Sequence, residues 1–350
     1  MSFTIEQREK ISIEVIKVLV KRFESFPENT TENRNAPFHE AFLNAFSDKL
    51  VGKVSNIPVF ISLASWQHGL NTTLGQTFFE KVAHILCDGE KREYTSKKLG
   101  NLQITKKQQE AITRIINNLS TSSKLPNLED ENNVILQKDS SPFLKAEDFS
   151  ADVFYEDTDK IVAIELKTVQ PNSSGMKVEK QKILEGKAAL FHLFSNKAIY
   201  FYFGFPFDPT VNPKEENVTD YDKIRFLNSI VNANKFVAQN EVLVANELWN
   251  YLSCTENTME ELLIIINTIA TTSFLSKFHI LQNNSKRNDK EYITLLIEWN
   301  LISEKMLIEN DKIIQSQLTT SSLRKNYNKM AFDKDGKYNW DRFYILKDLL

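Results

Sequence analysis

The chain has 350 residues, 41% of them hydrophobic and 25% charged, the balance of a globular protein long enough for a sizeable core in one to three domains. A formal net charge of −3 excludes a global basic field for nucleic acid and leaves only a local basic cleft for that purpose. Cys87 and Cys254 are far apart, which excludes a metal-ligand spacing and makes both expected buried free thiols. No apolar run approaches a membrane span, and the opening MSFTIEQREK carries no apolar leader, so a cytoplasmic protein without a membrane partner is expected.

In chain order, Thr4 and Gln7 can form a capping box for a helix whose apolar residues recur over 11–19 and which should stop near Phe26-Pro27. Residues 28–36 are polar and read as a loop, and 37–46 as a short amphipathic helix. Residues 74–86 predict a further helix, with Asn71, Thr72 and Thr73 as caps and Phe78, Phe79, Val82 and Ile85 as its stripe. Glu80 interrupts that neighbourhood, and His84 follows one turn later. Residues 91–107 collect Lys91, Arg92, Lys97, Lys98, Lys106 and Lys107 against Glu93 alone. They read as a loop ahead of a helix over 108–119, and as a patch that either meets phosphates or is merely solvated. Residues 120–133, with Pro126 and the run Glu129-Asp130-Glu131, read as a linker.

Three strands are predicted next, over 133–137, 149–155 and 161–169, the last two joined by a polar turn at 156–160 as an antiparallel hairpin. Pro171 to Gly175 should break the chain. A basic amphipathic helix over 177–194 carries Lys177, Lys180, Gln181, Lys182 and Lys187, with Ile183, Leu184, Leu190, Phe191 and Phe194 toward the sheet. An aromatic strand, AIYFYFGF, covers 198–205. From Thr219 onward helical spacing dominates, over 220–231, 242–251, 259–269 and 292–299. The tail from Leu323 mixes basic and aromatic residues, which suits either a grip on nucleic acid or a docked segment.

The run IVAIELKTV at 161–169 carries the chemistry. Side chains alternate across a strand, so Glu165 and Lys167 share a face with Ile161, Ala163 and Val169, while Val162, Ile164 and Leu166 take the other. Both faces are apolar, as in an interior strand covered on both sides, where charges must pair or bind an ion. Asp152 lies on the preceding strand. A second carboxylate cannot neutralise Glu165, whereas Mg²⁺, which takes oxygen ligands, can. The plainer reading is a surface hairpin with a Glu/Lys pair.

Asp152 followed by Glu165-Leu166-Lys167 resembles the signature of the PD-(D/E)XK nuclease superfamily, with Ala151 where the motif has Pro. The resemblance covers residues 74–207 and implies an α/β (α+β) core, a mixed sheet flanked by helices, with helical N- and C-terminal additions. It divides the chain into 1–70, a helical region; 71–210, the catalytic core; and 211–350, a helical region for DNA recognition or dimerisation. It implies Asp152 and Glu165 as ligands of Mg²⁺, Lys167 beside the attacking water, and Glu80 as an acid contributed by the helix ahead of the sheet. Lys97, Lys98, Lys177, Lys180 and Gln181 are the candidate DNA contacts. A chain of this size looks most like a prokaryotic type II restriction endonuclease acting on double-stranded DNA as a homodimer, with a cognate methyltransferase protecting host DNA. The run from 74 through IELKTVQPN to FGFPFDP is similar to the TdeIII group, which implies GGNCC as the site and 5′-phosphate ends. A structure-specific repair or recombination nuclease of the same superfamily, and a non-enzymatic helical interaction protein, stay open at this level.

Overall fold

The computed structural model describes residues 3–27, 37–54, 57–167 and 173–350. These form two compact units, one from 3–78 with 262–350 and the other from 79–261. Helix α1 spans Ile5–Glu24; the Thr4 hydroxyl accepts from the Gln7 amide while the Gln7 side chain returns to the Thr4 amide, which is the expected capping box. Residues 28–36, expected as a loop, lie outside the described residues. Helices α2 (Pro37–Leu43), α3 (Ser47–Leu50) and α4 (Ile57–Thr73) follow. Helix α4 overturns the reading of residues 71–73 as caps. The hydroxyls of Thr72 and Thr73 bond back to the carbonyls of His68 and Gly69, at 3.0 and 2.9 Å, so both sit inside a helix instead of starting one. One π-helical turn, Leu74–Phe78, precedes α5 (Phe79–Cys87).

The second unit is built on a mixed five-stranded sheet of order β1-β4-β5-β6-β7. Its strands are β1 (Glu90–Tyr94), β4 (Phe149–Glu156), β5 (Lys160–Leu166), β6 (Ala198–Phe205) and β7 (Val242–Val244), with β2 (Gln103–Thr105) and β3 (Phe143–Lys145) paired separately. Between them lie helices α6 (Lys106–Ser120), α7 (Leu128–Ile135), α8 (Ser173–Leu193), α9 (Lys223–Ser229) and α10 (Ala233–Phe236), and α11 (Asn246–Ser253) follows β7. β4 runs antiparallel to β1 and β5, whereas β5, β6 and β7 run parallel. β5 is thus an interior strand, with Ile161, Val162, Ala163 and Ile164 fully buried, as its two apolar faces require. Thr168 and Val169, expected at its end, lie outside the described residues. Helix α8 covers one face of the sheet, where Gly186 lies against Phe149 and Phe201. Helices α11 and α5 cover the other: a side chain at Gly204 would strike Ile164, Leu166 and Leu248, and Phe79 packs on Trp249.

The strand expected at 133–137 does not form. Asn127 accepts the amides of Glu129 and Asp130, and that cap, with three acids in the first turn, makes the supposed linker helix α7. The first strand of the sheet is instead β1, inside the segment read as a basic loop. Helix α8 begins at Ser173, inside the expected break, while residues 168–172 are outside the described residues. The helix expected over 242–251 is β7 followed by α11.

Helices α12 (Thr258–Ile269), α13 (Phe274–Leu281), α14 (Lys290–Glu298), α15 (Ile302–Glu309), α16 (Asp311–Ser316), α17 (Ser321–Tyr327) and α18 (Trp340–Lys347) complete the chain. Part of the basic and aromatic tail is docked: Arg342 is buried and forks onto Glu304 at 2.6 and 3.1 Å, and Tyr338 donates to the same carboxylate. Both cysteines are free, Cys87 half-buried and Cys254 exposed, so the second is not the buried thiol expected. Among the described residues no single helix is long and apolar enough to cross a membrane.

Candidate active site

Asp152 sits where β4 is irregular. Glu90 faces Phe154 and Arg92 faces Ala151, so Asp152 and Val153 together stand opposite Lys91. Such a bulge re-aims a side chain. Asp152 as a residue is 8% exposed. Its Oδ2 accepts the Leu166 amide at 3.0 Å, tying it to β5, and its Oδ1 meets the Lys91 ammonium at 2.7 Å. The same ammonium lies 3.1 Å from Glu80 Oε1 on α5. The Arg92 guanidinium, on the neighbouring residue of β1, stacks over the Phe154 ring at 3.9 Å. From α5, His84 Nε2 donates to the Asp152 main-chain oxygen at 2.7 Å.

Glu165 and Lys167 form a second group. The Lys167 ammonium lies 2.8 Å from Glu165 Oε1 and 3.1 Å from Glu179 Oε2 on α8. The Lys167 amide donates to the Gly204 carbonyl at 2.8 Å, which extends the β5–β6 ladder one residue beyond β5. Ser150 lies 3.5 Å from the other Glu165 oxygen. A small cleft of about 160 Å³ lined by Ser150, Glu165, Glu179 and Lys182 admits solvent beside the pair.

The electrostatics follow from this crowding. Burial raises the Glu165 carboxyl above its usual range; Lys167 opposes that shift and the Asp152 charge reinforces it. Burial and the Asp152 charge raise Glu80 in the same way. Burial works against the charge of both lysines, but Glu165 and Glu179 hold Lys167 above its ordinary value, and Asp152 and Glu80 do so for Lys91. Burial pushes His84 down, which keeps its ring neutral at neutral pH.

The structure therefore brings Asp152 and Glu80 together around Lys91, and Glu165 and Lys167 together with Glu179. The Asp152 charge, felt at both Glu80 and Glu165, links the two groups. Lys91 has no sequence signal beyond its basic cluster, because EKREY has no apolar alternation to announce an edge strand. Glu179 left no local signal, since it reaches the site from a helix whose docking is a tertiary event. Among the described residues no group of three or more His, Cys, Asp or Glu side chains stands at metal-binding spacing.

The candidate DNA contacts divide. Lys97 and Lys98 are exposed in the turn after β1, with Lys98 3.5 Å from Glu93, and Lys177 is exposed near the start of α8. Gln181 donates to Glu147 and Glu185 at 3.0 and 3.2 Å. Lys180 is 0% exposed and lies 2.5 Å from Glu131 and 2.7 Å from Glu241, so a phosphate contact is closed to it.

Comparison with known proteins places this chain in context. The family model described as type II restriction endonuclease, HinfI, matches residues 4–270. The chain is 41% identical over 355 residues to the type II restriction enzyme MjaII of Methanocaldococcus jannaschii, an alignment covering 95% of this chain and 94% of that protein. No solved structure matches the chain significantly.

Proposed function

Because the chain belongs to the HinfI family of type II restriction endonucleases, which are site-specific deoxyribonucleases, we propose that Asp152, Glu165 and Lys167 form its active site, hydrolysing double-stranded DNA with Mg²⁺ to leave 5′-phosphate ends. The observation that carries this reading is the pair of acids on adjacent strands, each bridged by a lysine to a further acid. Mg²⁺ is commonly held by one or two carboxylates together with waters and phosphate oxygens, and this all-oxygen donor set fits it. Asp152 and Glu165 would hold it, with Glu80 as a further acid. When bound, such a metal lowers the pKa of a water and stabilises charge on the phosphoryl oxygens.

The remaining roles belong to the protein. Glu165 and Glu179, at 2.8 and 3.1 Å, favour the charged form of Lys167, which suits it to act as a fixed positive charge beside phosphate and water. His84 fixes the main chain at Asp152. Lys97, Lys98 and Lys177, all exposed, meet DNA phosphates. Catalysis falls to the sheet-bearing unit of 79–261, which takes in β7 and α11 beyond the core expected at 71–210, and recognition or dimerisation to the helices that follow it. A homodimer would set two sites on the two strands of a palindrome, and a cognate methyltransferase would protect host DNA. The site sequence GGNCC rests on the likeness to the TdeIII group alone.

The test is incubation of the protein with unmethylated phage DNA, with and without Mg²⁺. Discrete bands only with the metal are the expected result; scattered nicks would point to a structure-specific nuclease. Asp152→Ala and Glu165→Ala should each abolish cleavage while leaving DNA binding intact or tighter. Near wild-type cutting by either variant would remove that carboxylate from the site.

A further inference from the structure

Asp152 has two oxygens, and both are taken. Oδ2 accepts the Leu166 amide and is bound into the sheet. Oδ1, the oxygen left for a ligand, is held by the Lys91 ammonium, which also touches Glu80 Oε1. A compact positive charge thus stands between two acids of the site. Two cations cannot share that position, because unit charges a few ångströms apart repel strongly even near solvent. Lys91 is also built to leave. It stands on the edge strand β1 and its side chain is 37% exposed, whereas Lys167, on an interior strand, is 22% exposed.

We infer that Lys91 is an internal competitor for the divalent metal, holding the cation position between Asp152 and Glu80 and keeping metal affinity low until it is displaced. This rests on the active-site reading given above. Lys91 has a long, flexible stem, and on leaving it can follow the negative charge of a DNA phosphate. Metal loading would then be favoured when DNA is present to receive the lysine, so that the free enzyme holds its metal weakly.

The consequence is unusual in sign: deleting a charged site residue should improve metal binding. The experiment is calorimetric titration of the full chain with Mn²⁺, without DNA, for wild type, Lys91→Met, Lys91→Gln, Lys91→Arg and Asp152→Ala. Lys91→Met and Lys91→Gln should each bind Mn²⁺ about tenfold more tightly, or better, because the repelling charge is gone. Lys91→Arg keeps the charge and should bind no more tightly than wild type. Asp152→Ala should bind far more weakly. If neither neutral variant gains affinity while Asp152→Ala loses it, the inference is overturned and Lys91 is a structural strut. If Asp152→Ala binds Mn²⁺ as the wild type does, the active-site reading itself fails and this inference falls with it.

Discussion

His84 donates its Nε2 proton to the main-chain oxygen of Asp152 at 2.7 Å and so ties α5 to β4 at the bulge that aims the Asp152 carboxylate. The ring is neutral at neutral pH because burial disfavours its cation. His84→Ala should leave a half-buried carbonyl without its donor and cost about 1–3 kcal/mol. Cleavage should fall as well, although His84 has no role toward the phosphate, because Asp152 loses its anchor. Urea denaturation and single-turnover cleavage read the two effects separately. Wild-type cutting by this variant would show that the bulge alone positions Asp152.

Lys167 is the sharpest test of the chemistry. Lys167→Ala should lower single-turnover cleavage on the order of 10²-fold or more if the lysine supplies a preorganised charge. Lys167→Arg should restore little of it, since a guanidinium is wider and forks where an ammonium is a point. Melting temperature is measured alongside, because the substitution also leaves Glu165 and Glu179 without their shared partner. Full activity in Lys167→Ala would take the lysine out of the site.

Two lysines three residues apart on α8 should behave oppositely. Lys180→Ala strands Glu131 and Glu241 in the interior and should cost about 3–5 kcal/mol. Lys177→Ala should change stability by less than about 0.5 kcal/mol, weaken binding to all DNA alike, and reduce the salt slope by about one. Denaturant midpoints and filter binding at several salt concentrations separate these outcomes. Equal stability loss in both variants would contradict the burial that distinguishes them.

Lys187 gives a pH signature. Burial brings its amine down from 10.5 to about 8, with Glu241 opposing the shift. Between those values the unfolded chain holds a proton that the folded chain has released, so stability rises with pH across that window. Below about 8 both states are protonated, and the destabilisation is fully present. Lys187→Met should remove the rise. Urea midpoints at about pH 7 and about pH 10 for both proteins check it, after allowance for groups common to the two. An unchanged slope in the variant would assign the effect elsewhere.

Local chemistry made much of this protein legible in advance. The box between Thr4 and Gln7 lies within one turn of chain, and so does the spacing that marks α6. The alternation of Glu165 and Lys167 on an apolar strand is likewise a property of neighbouring residues, and the polar turn at 156–160 binds β4 to β5 by proximity alone. These features need nothing remote, so the β4–β5 hairpin and the places of Asp152 and Glu165 on it, with Lys167 just beyond β5, are legible in the sequence, whereas β1 and β7 are not.

Other features waited on packing. EKREY becomes β1 because β4 pairs with it from some sixty positions away, and that pairing creates the bulge and brings Lys91 to Asp152. Glu179 reaches Lys167 only because α8 lies across the sheet. Lys180 sits on a helix whose composition reads as a solvated basic face. Glu131 from α7 and Glu241 just before β7 draw it inside, from segments remote from it in the chain. A buried lysine is stable only where its counter-charges are delivered, and their delivery depends on how distant elements pack, which periodicity and capping along the chain do not encode.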